Sequence, residues 1–118
     1  MTRLARIAPE IPVSDLSRST EYYETKLGFR VAMQMPEGAY AVVERDDVAI
    51  HLFQDARAIG PVSIHVFTDG LDELYAELVG RGANMSQEIT DKPWGCRDFR
   101  VVDDSGNILK FTEPAAES

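Results

Sequence analysis

The chain repeats one supersecondary pattern, and this repetition constrains its fold more than any other feature of the sequence. In each half, a short extended segment precedes an amphipathic helix, and three further strand-like segments follow it. The helices carry matching apolar positions, because Leu71 follows Leu16 and Leu78 follows Tyr23 at the same spacing of 55 residues. Self-similarity at a fixed spacing indicates repeated structural units. The pattern therefore predicts two consecutive βαβββ modules.

The N-terminal segment of the first module, which is expected to span about residues 4–54, should lie at the edge of a sheet. Residues 5–13 look extended, but Pro9 and Pro12 have no N–H group to donate to a neighbouring strand. The segment is therefore predicted to be an edge strand, or an arm that is exchanged with a second subunit.

The helix of the first module should be amphipathic and well delimited. Ser14 or Asp15 can cap its N-terminus, and Gly28 stands where a left-handed residue would end it. Its buried face is expected at helical spacing, at Leu16, Thr20, Tyr23 and Leu27. Three strands should follow, at residues 29–35, 39–45 and 48–54.

The second module, about residues 61–113, should repeat this order after a polar link at 55–60. Asp69 is expected to cap its helix. A tight turn between alternating apolar positions predicts a final hairpin. The expected elements are a strand at 62–68, a helix carrying Leu71, Leu74, Tyr75 and Leu78 on one face and ending at Gly80 and Gly82, a weak strand at 84–90, and a hairpin that turns at 104–107.

Each module supplies one helix and a largely antiparallel sheet, one face of which must be buried against other elements. The two sheets are predicted to curl side by side into an open half-barrel with the helices outside, which makes the fold class α+β.

Side chains alternate across a strand, so the uniformly aliphatic positions should face the helices and leave the others lining the hollow. The lining predicted by this rule comprises Glu10, Tyr40, Ala49, His51, Phe53, Ser63, His65, Phe67, Ile108, Lys110 and Thr112. A mixture of aromatic rings with a few polar groups is typical of a small-molecule site.

Trp94 is the only tryptophan, and Pro93 and Gly95 bracket it in a loop before the final hairpin. An aromatic side chain in such a loop can stack on a planar ligand. It can equally pack at the edge of the core, and the loop sequence alone leaves both interpretations open.

Composition argues against several classes of partner. The 12 basic and 20 acidic residues give a net charge of −8, which disfavours nucleic acid and anionic membranes. The single cysteine, Cys96, cannot form an internal disulfide, so a reducing compartment is expected. The N-terminus lacks an apolar leader, and no run is long enough to span a membrane. With 118 residues, we expect one cytoplasmic domain over 1–118.

Two stretches carry a family resemblance. Residues 11–29 contain Ile-Pro-Val-Ser-Asp-Leu, Tyr-Tyr and Leu-Gly-Phe, and residues 103–111 read Asp-Asp-Ser-Gly-Asn-Ile-Leu-Lys-Phe. With the paired modules, they resemble the vicinal oxygen chelate superfamily, which includes glyoxalase I and the bleomycin resistance proteins. The bleomycin resistance branch is the most similar, through Ala8-Pro9, Gly-Leu-Asp-Glu-Leu-Tyr-Ala-Glu at 70–77, and Pro93-Trp94-Gly95.

The resemblance also locates the metal ligands that enzymes of the superfamily carry. These are His or Glu/Gln on the first and last strands of each module, and the matching positions here are Ala8, Ala49, Ser63 and Lys110. None of the four is a suitable ligand. We therefore predict no metal, no cofactor and no catalytic residue. The alternative is a metal-dependent lyase or dioxygenase that uses His51 and His65, since imidazole is a common ligand.

The resemblance implies sequestration rather than chemistry. Two subunits would exchange arms near Pro9, and each cleft between them would hold a cationic glycopeptide antibiotic against aromatic side chains. Tyr40 matches an aromatic position of that cleft, and the net charge of −8 would attract a cation. We expect a homodimer that binds a bleomycin-type or similar planar cationic molecule and confers resistance. Its expected ligand-binding residues are Glu10, Tyr40, His51, Phe53, His65, Phe67, Trp94 and Lys110.

Overall fold

Two βαβββ modules follow one another in the computed structural model, which describes residues 1–35, 37–57 and 62–114. The first comprises β1 (Glu10–Val13), α1 (Leu16–Leu27), β2 (Arg30–Gln34), β3 (Tyr40–Arg45) and β4 (Val48–Gln54). The second comprises β5 (Ser63–Phe67), α2 (Leu71–Arg81), β6 (Met85–Asp91), β7 (Cys96–Val102) and β8 (Ile108–Pro114). The repeat is confirmed, while Pro36 of the predicted turn and residues 58–61 of the link lie outside the described residues.

Each module forms its own four-stranded mixed sheet, and the two sheets do not close into a barrel. The strand orders are β1-β4-β3-β2 and β5-β8-β7-β6. In each sheet the first strand of the module pairs in parallel with the last, and the other pairs are antiparallel. β1 therefore lies at an edge, as its proline predicts, and the fold class is α+β.

The helix-facing sides of both sheets share one continuous core with the two helices. The alternation rule is confirmed, since Ile50 and Leu52 of β4 and Leu109 of β8 are fully buried. Burying each such side chain stabilises the fold by roughly 1.5–3 kcal/mol. The core also contains Ile11, Val13, Leu16, Tyr23, Leu27, Phe29, Ala41, Val43, Leu71, Leu78, Phe99, Val101 and Phe111.

The ends of α1 follow the sequence prediction. The side chain of Asp15 accepts a hydrogen bond from the backbone N–H of Arg18 at 3.1 Å, which satisfies one of the free donors of the first turn. Gly28 ends the helix with a φ of 73°, a left-handed conformation that glycine adopts without steric cost.

The predicted cap of α2 is wrong. Gly70, rather than Asp69, occupies the N-cap, and the N-cap residue itself makes no side-chain hydrogen bond to the helix. Glu113 at the end of β8 instead accepts a hydrogen bond from the backbone N–H of Leu71 at 2.9 Å. Gln54 at the end of β4 does the same for Leu16, also at 2.9 Å. In each module the last strand thus anchors the start of the helix.

A buried carboxylate joins the two modules. Asp103, in the turn between β7 and β8, accepts a hydrogen bond from the hydroxyl of Tyr23 on α1 at 2.8 Å. It also accepts bonds from the backbone N–H groups of Ser105 and Asn107, at 2.8 and 2.9 Å. The amide Nδ2 of Asn107 donates to Asp103 at 3.1 Å and to the carbonyl of Pro12 at 2.8 Å.

Burial dominates the electrostatics of this junction. It raises the pKa of Asp103 above its usual range, although the backbone N–H groups of Asn107 and Ser105 oppose the shift by stabilising the charged form. Burial, and then the charge of Asp103, raises the pKa of Tyr23 well above its ordinary value. The phenol therefore stays protonated and remains a donor to the carboxylate.

We predict that Tyr23→Phe lowers the free energy of unfolding by about 1.5–3 kcal/mol, because it removes a buried hydrogen bond to a charged acceptor. Urea denaturation followed by circular dichroism measures this loss. Tyr75→Phe is the matched control, since the hydroxyl of Tyr75 makes no hydrogen bond to any described residue and its ring packs against Phe99. Equal stability losses in the two variants would contradict the role assigned to the junction.

Candidate functional site

Three predicted residues form a hydrogen-bonded network on the open face of the first sheet, the face turned away from the helices. The hydroxyl of Tyr40 lies 2.8 Å from Oε2 of Glu10 and 2.7 Å from Nδ1 of His51. A carboxylate can only accept, so the hydroxyl donates to Glu10 and accepts from Nδ1–H of His51. In the neutral form of the imidazole this leaves Nε2 of His51 as an acceptor that has no hydrogen-bond partner among the described residues.

The strand register brings these residues together. Glu10 on β1 is the partner of His51 on β4, and Tyr40 on β3 is the partner of Phe53. The ring of Tyr40 meets that of His51 edge-on, with centroids 5.7 Å apart. The hydrogen bond from Tyr40 to ionised Glu10 raises the pKa of the phenol, since it favours the protonated form. The open face thus presents a carboxylate beside aromatic rings.

The other predicted strand residues lie on the open face of the second sheet. His65 and Phe67 are two positions apart on β5, with ring centroids 5.0 Å apart, and the side chain of Phe67 is 68% exposed. Lys110 on β8 is the register partner of His65. Partial burial, and then the charge of Lys110, lowers the pKa of His65, so its neutral form is favoured.

Trp94 lies in the turn between β6 and β7 and is 74% exposed. Gly95 follows it with a φ of 90°, and the N–H of Gly95 bonds to the carbonyl of Lys92 at 3.0 Å. The turn therefore holds the indole outside the core, and the packing interpretation of Trp94 does not apply to the single chain.

The structure thus divides the eight predicted residues between the two sheets. Glu10, Tyr40, His51 and Phe53 belong to the first sheet, and His65, Phe67, Lys110 and Trp94 belong to the second sheet or its turn. Among the described residues, no hydrogen bond, ion pair or ring contact links one set to the other. In one chain they form two separate groups, one on each sheet.

The open face of the second sheet also carries polar residues that were not among the predicted site residues. Asp98 on β7 is 4% exposed, accepts from Nε2 of Gln87 and lies 3.5 Å from Nζ of Lys92. Arg100 on β7 is the register partner of Lys110. Applying the alternation rule to 96–102 would have found both Asp98 and Arg100.

A cavity lies elsewhere, between the modules on the helix side of the sheets. It has a volume of about 400 Å³, and Phe67 is the one predicted site residue that lines it. Its origin is a difference in turn length, because two residues join β3 to β4 whereas five join β7 to β8. The longer turn packs against α1, and the shorter turn leaves a gap against α2.

The charges of this cavity are mostly acidic and exposed. Asp46, Asp47, Asp69 and Glu73 line its rim. Arg45 also lines it, but its guanidinium already bonds to Glu77 at 2.7 and 2.9 Å. Together with Arg81, this pairing lowers the pKa of Glu77 to about 2. Exposed acidic side chains are solvated by water and need no ligand to account for them. We therefore place the candidate site on the open faces rather than in this cavity.

The residues present do not fit a divalent metal. Within residues 1–35, 37–57 and 62–114, no three His, Cys, Asp or Glu side chains are grouped so that they could hold one ion. Lys110, at a position that the resemblance assigns to a ligand, adds a positive charge, and His51 and His65 lie on different sheets.

Comparisons with known proteins agree with this fold. The sequence profile of the Glyoxalase/Bleomycin resistance protein/Dioxygenase superfamily matches residues 3–111. A bleomycin resistance protein of Geobacillus stearothermophilus is 28% identical over 123 aligned residues, which cover 87% of this chain and 92% of the relative.

Two solved structures show the same architecture. The bleomycin resistance determinant encoded on transposon Tn5 superposes with a TM-score of 0.82 at 20% identity, covering 96% of this chain and 100% of the other. TioX from Micromonospora sp. ML1 superposes with a TM-score of 0.81 at 21% identity, covering 93% and 98%. In the part of the chain that the structure describes, neither helix has the length and apolarity to cross a membrane.

We predict that Glu10→Gln lowers the pKa of Tyr40 toward its ordinary value, because the charged acceptor that favours the protonated phenol is lost. Spectrophotometric titration of tyrosinate measures the shift, and comparison with Tyr40→Phe identifies the signal of Tyr40. Glu44→Gln is the control, since Glu44 bonds to Arg30 instead. An unchanged pKa of Tyr40 in Glu10→Gln would show that the network does not form in solution.

Proposed function

Because the chain belongs to the glyoxalase/bleomycin resistance protein/dioxygenase superfamily, we propose that it binds a bleomycin-type antibiotic, or a similar planar cationic molecule, and confers resistance by sequestration. The observation that carries this proposal is its similarity to bleomycin resistance proteins, at 28% identity over 87% of this chain. The geometry of the open faces supplies a chemical basis for such binding.

The group on the first sheet, the first half-site of this proposal, supplies recognition of a cation. Glu10 holds a carboxylate on an open face, and Nε2 of His51 is an acceptor next to it. The hydrogen bond from Tyr40 fixes the carboxylate in place, which reduces the entropy lost on binding. The net charge of −8 adds long-range attraction that raises the association rate of a cation.

The group on the second sheet, the second half-site, supplies flat apolar surface. Trp94 and Phe67 are 74% and 68% exposed, so their ring faces are open to a planar ligand. Aromatic pairs contribute about 0.5–1.5 kcal/mol beyond the area they bury, which suits a heteroaromatic tail.

A second copy of the chain would complete the cleft, because the half-sites lie on separate sheets. We place the first half-site of one subunit opposite the second half-site of its partner, in a cytoplasmic homodimer. The N-terminal arm is suited to exchange, since residues 1–9 belong to no helix or strand. Leu4 and Ile7 in this arm are 97% and 96% exposed in the single chain, and a partner surface would bury them.

We predict that metal-free and copper-loaded bleomycin quench the fluorescence of Trp94 at micromolar concentration. Trp94→Ala should weaken binding by about tenfold, measured by calorimetry, since a stacking contact is worth on the order of 1 kcal/mol. Val79→Ala, which removes an exposed apolar side chain on α2, should bind like the wild type. If the wild type shows no quenching, bleomycin is not the ligand. If Trp94→Ala retains full affinity, the stacking role is wrong.

Metal analysis separates this proposal from the enzymes of the superfamily. We expect protein purified without chelators to hold no stoichiometric divalent ion. A stoichiometric ion that is lost in both His51→Ala and His65→Ala would favour a metal-dependent lyase or dioxygenase. Measurement by mass spectrometry of the intact protein and by elemental analysis gives the outcome.

A further inference from the structure

Three basic side chains stand in one row across the open face of the second sheet. His65 on β5 pairs in register with Lys110 on β8, and Lys110 pairs with Arg100 on β7. Neighbouring strands lie about 5 Å apart, so the three side chains leave the sheet side by side. The row is a concentration of positive charge in a chain whose net charge is −8.

The two permanent cations of this row lack carboxylate partners. Within the described residues, neither Lys110 nor Arg100 takes part in an ion pair, as is also true of Arg3, Arg6 and Lys26, whereas Arg18, Arg30, Arg45, Arg57, Arg81, Lys92 and Arg97 all do. Nε of Arg100 is buried without a hydrogen-bond partner among these residues. The hydroxyl of Thr112, a residue 4% exposed that lies two positions along β8 from Lys110, is also buried and unpartnered.

The fold itself does not require these cations. The equivalent row of the first sheet consists of Glu10, His51 and Val42, which pair in register across β1, β4 and β3. The same architecture is therefore built there with a carboxylate and an aliphatic side chain. Like charges on opposing strand positions are destabilising, so the placement of Lys110 opposite Arg100 costs stability in the free protein.

We propose that this row is an oxyanion subsite, which binds the carboxylate or phosphate group of a small aromatic molecule. Arg100 and Lys110 bind the oxyanion through charge-assisted hydrogen bonds. The rings of His65 and Phe67, at the border of the row, contact the aromatic part of the ligand. The subsite goes beyond the proposed recognition of a cation, because it selects the opposite charge.

The other charges on this face leave the row available. Asp98, two positions from Arg100 on β7, is already bound by Lys92 and Gln87. A second copy offers two carboxylates on the open face of its first sheet. Arg30 already pairs with Glu44, whereas Glu10 accepts only from the neutral hydroxyl of Tyr40, so Glu10 of a second copy is the competing occupant that sedimentation tests. Within one chain no described carboxylate forms an ion pair with the row, and we assign it to a ligand oxyanion.

The test titrates the intact protein with 2-naphthoate, with its neutral analogue 2-naphthamide, and with inorganic phosphate, at constant ionic strength. Backbone amide shifts in NMR spectra locate the binding. We expect saturable binding of 2-naphthoate that shifts β7 and β8, and no saturable binding of 2-naphthamide. If inorganic phosphate binds saturably and 2-naphthoate does not, the subsite is assigned to phosphate groups. Equal binding of the amide and the carboxylate would overturn the proposal.

Charge variants complete the test. Arg100→Gln and Lys110→Gln should each raise the dissociation constant of the bound anion about tenfold or more. Arg30→Gln, an equal change of charge on the other open face, should leave it unchanged. An equal loss in Arg30→Gln would show a general effect of charge and overturn the proposal. If a variant does not fold, the comparison of the acid with the amide in the wild type decides.

Analytical ultracentrifugation of the same variants measures their oligomeric state and tests whether a second copy of the chain, rather than a ligand, pairs with the row. If Arg100→Gln and Lys110→Gln dissociate a dimer and the wild type binds no anion, the row pairs with a second copy and the proposal fails. Binding of bleomycin is measured through Trp94 and does not enter this test. The sequestration proposal and the oxyanion subsite can therefore fail independently.

Discussion

The buried hydrogen bonds of Asp103 hold the two modules in their relative positions. One carboxylate receives four donors, and they come from α1 and from the turn between β7 and β8. Burial disfavours the charge, and this cost is offset only while the donors stay in place. The arrangement therefore fixes the first helix over the second sheet. The junction thereby contributes to the relative placement of the two sheets that carry the candidate site.

The two modules share a fold but have diverged in what they present to a ligand. The first sheet shows a carboxylate held by a phenol and an imidazole, in Glu10, Tyr40 and His51. The second sheet shows exposed rings and two cations, Arg100 and Lys110, that form no ion pair with any described residue. A strand needs aliphatic side chains only on its helix-facing side, so the opposite side is free to vary without loss of the core. The two modules therefore present different side chains on their open faces.

The local structure was largely predictable, because it depends on neighbouring residues. The period of the apolar positions located both helices, Asp15 and Gly28 fixed the ends of α1, and the alternation rule sorted the buried from the open positions of β4 and β8. The cap of α2 was missed because the group that satisfies it, Glu113, lies 42 residues along the chain from Leu71. Local patterns carry no information about such a partner. The cavity beside α2 was missed for the same reason, since it depends on how a two-residue turn meets a distant helix.

The sequence by itself determined the repeat, the family resemblance, the core, and which side chains share the open faces, since all of these follow from spacing along the chain. Only the tertiary structure decided that the eight predicted residues divide between the two sheets, that Tyr40 links Glu10 to His51, and that Arg100 and Lys110 stand side by side without an ion-pair partner among the described residues. These facts depend on strand order and register. Register is set by the packing of whole sheets against the helices, and a one-residue shift would move every side chain to the other face.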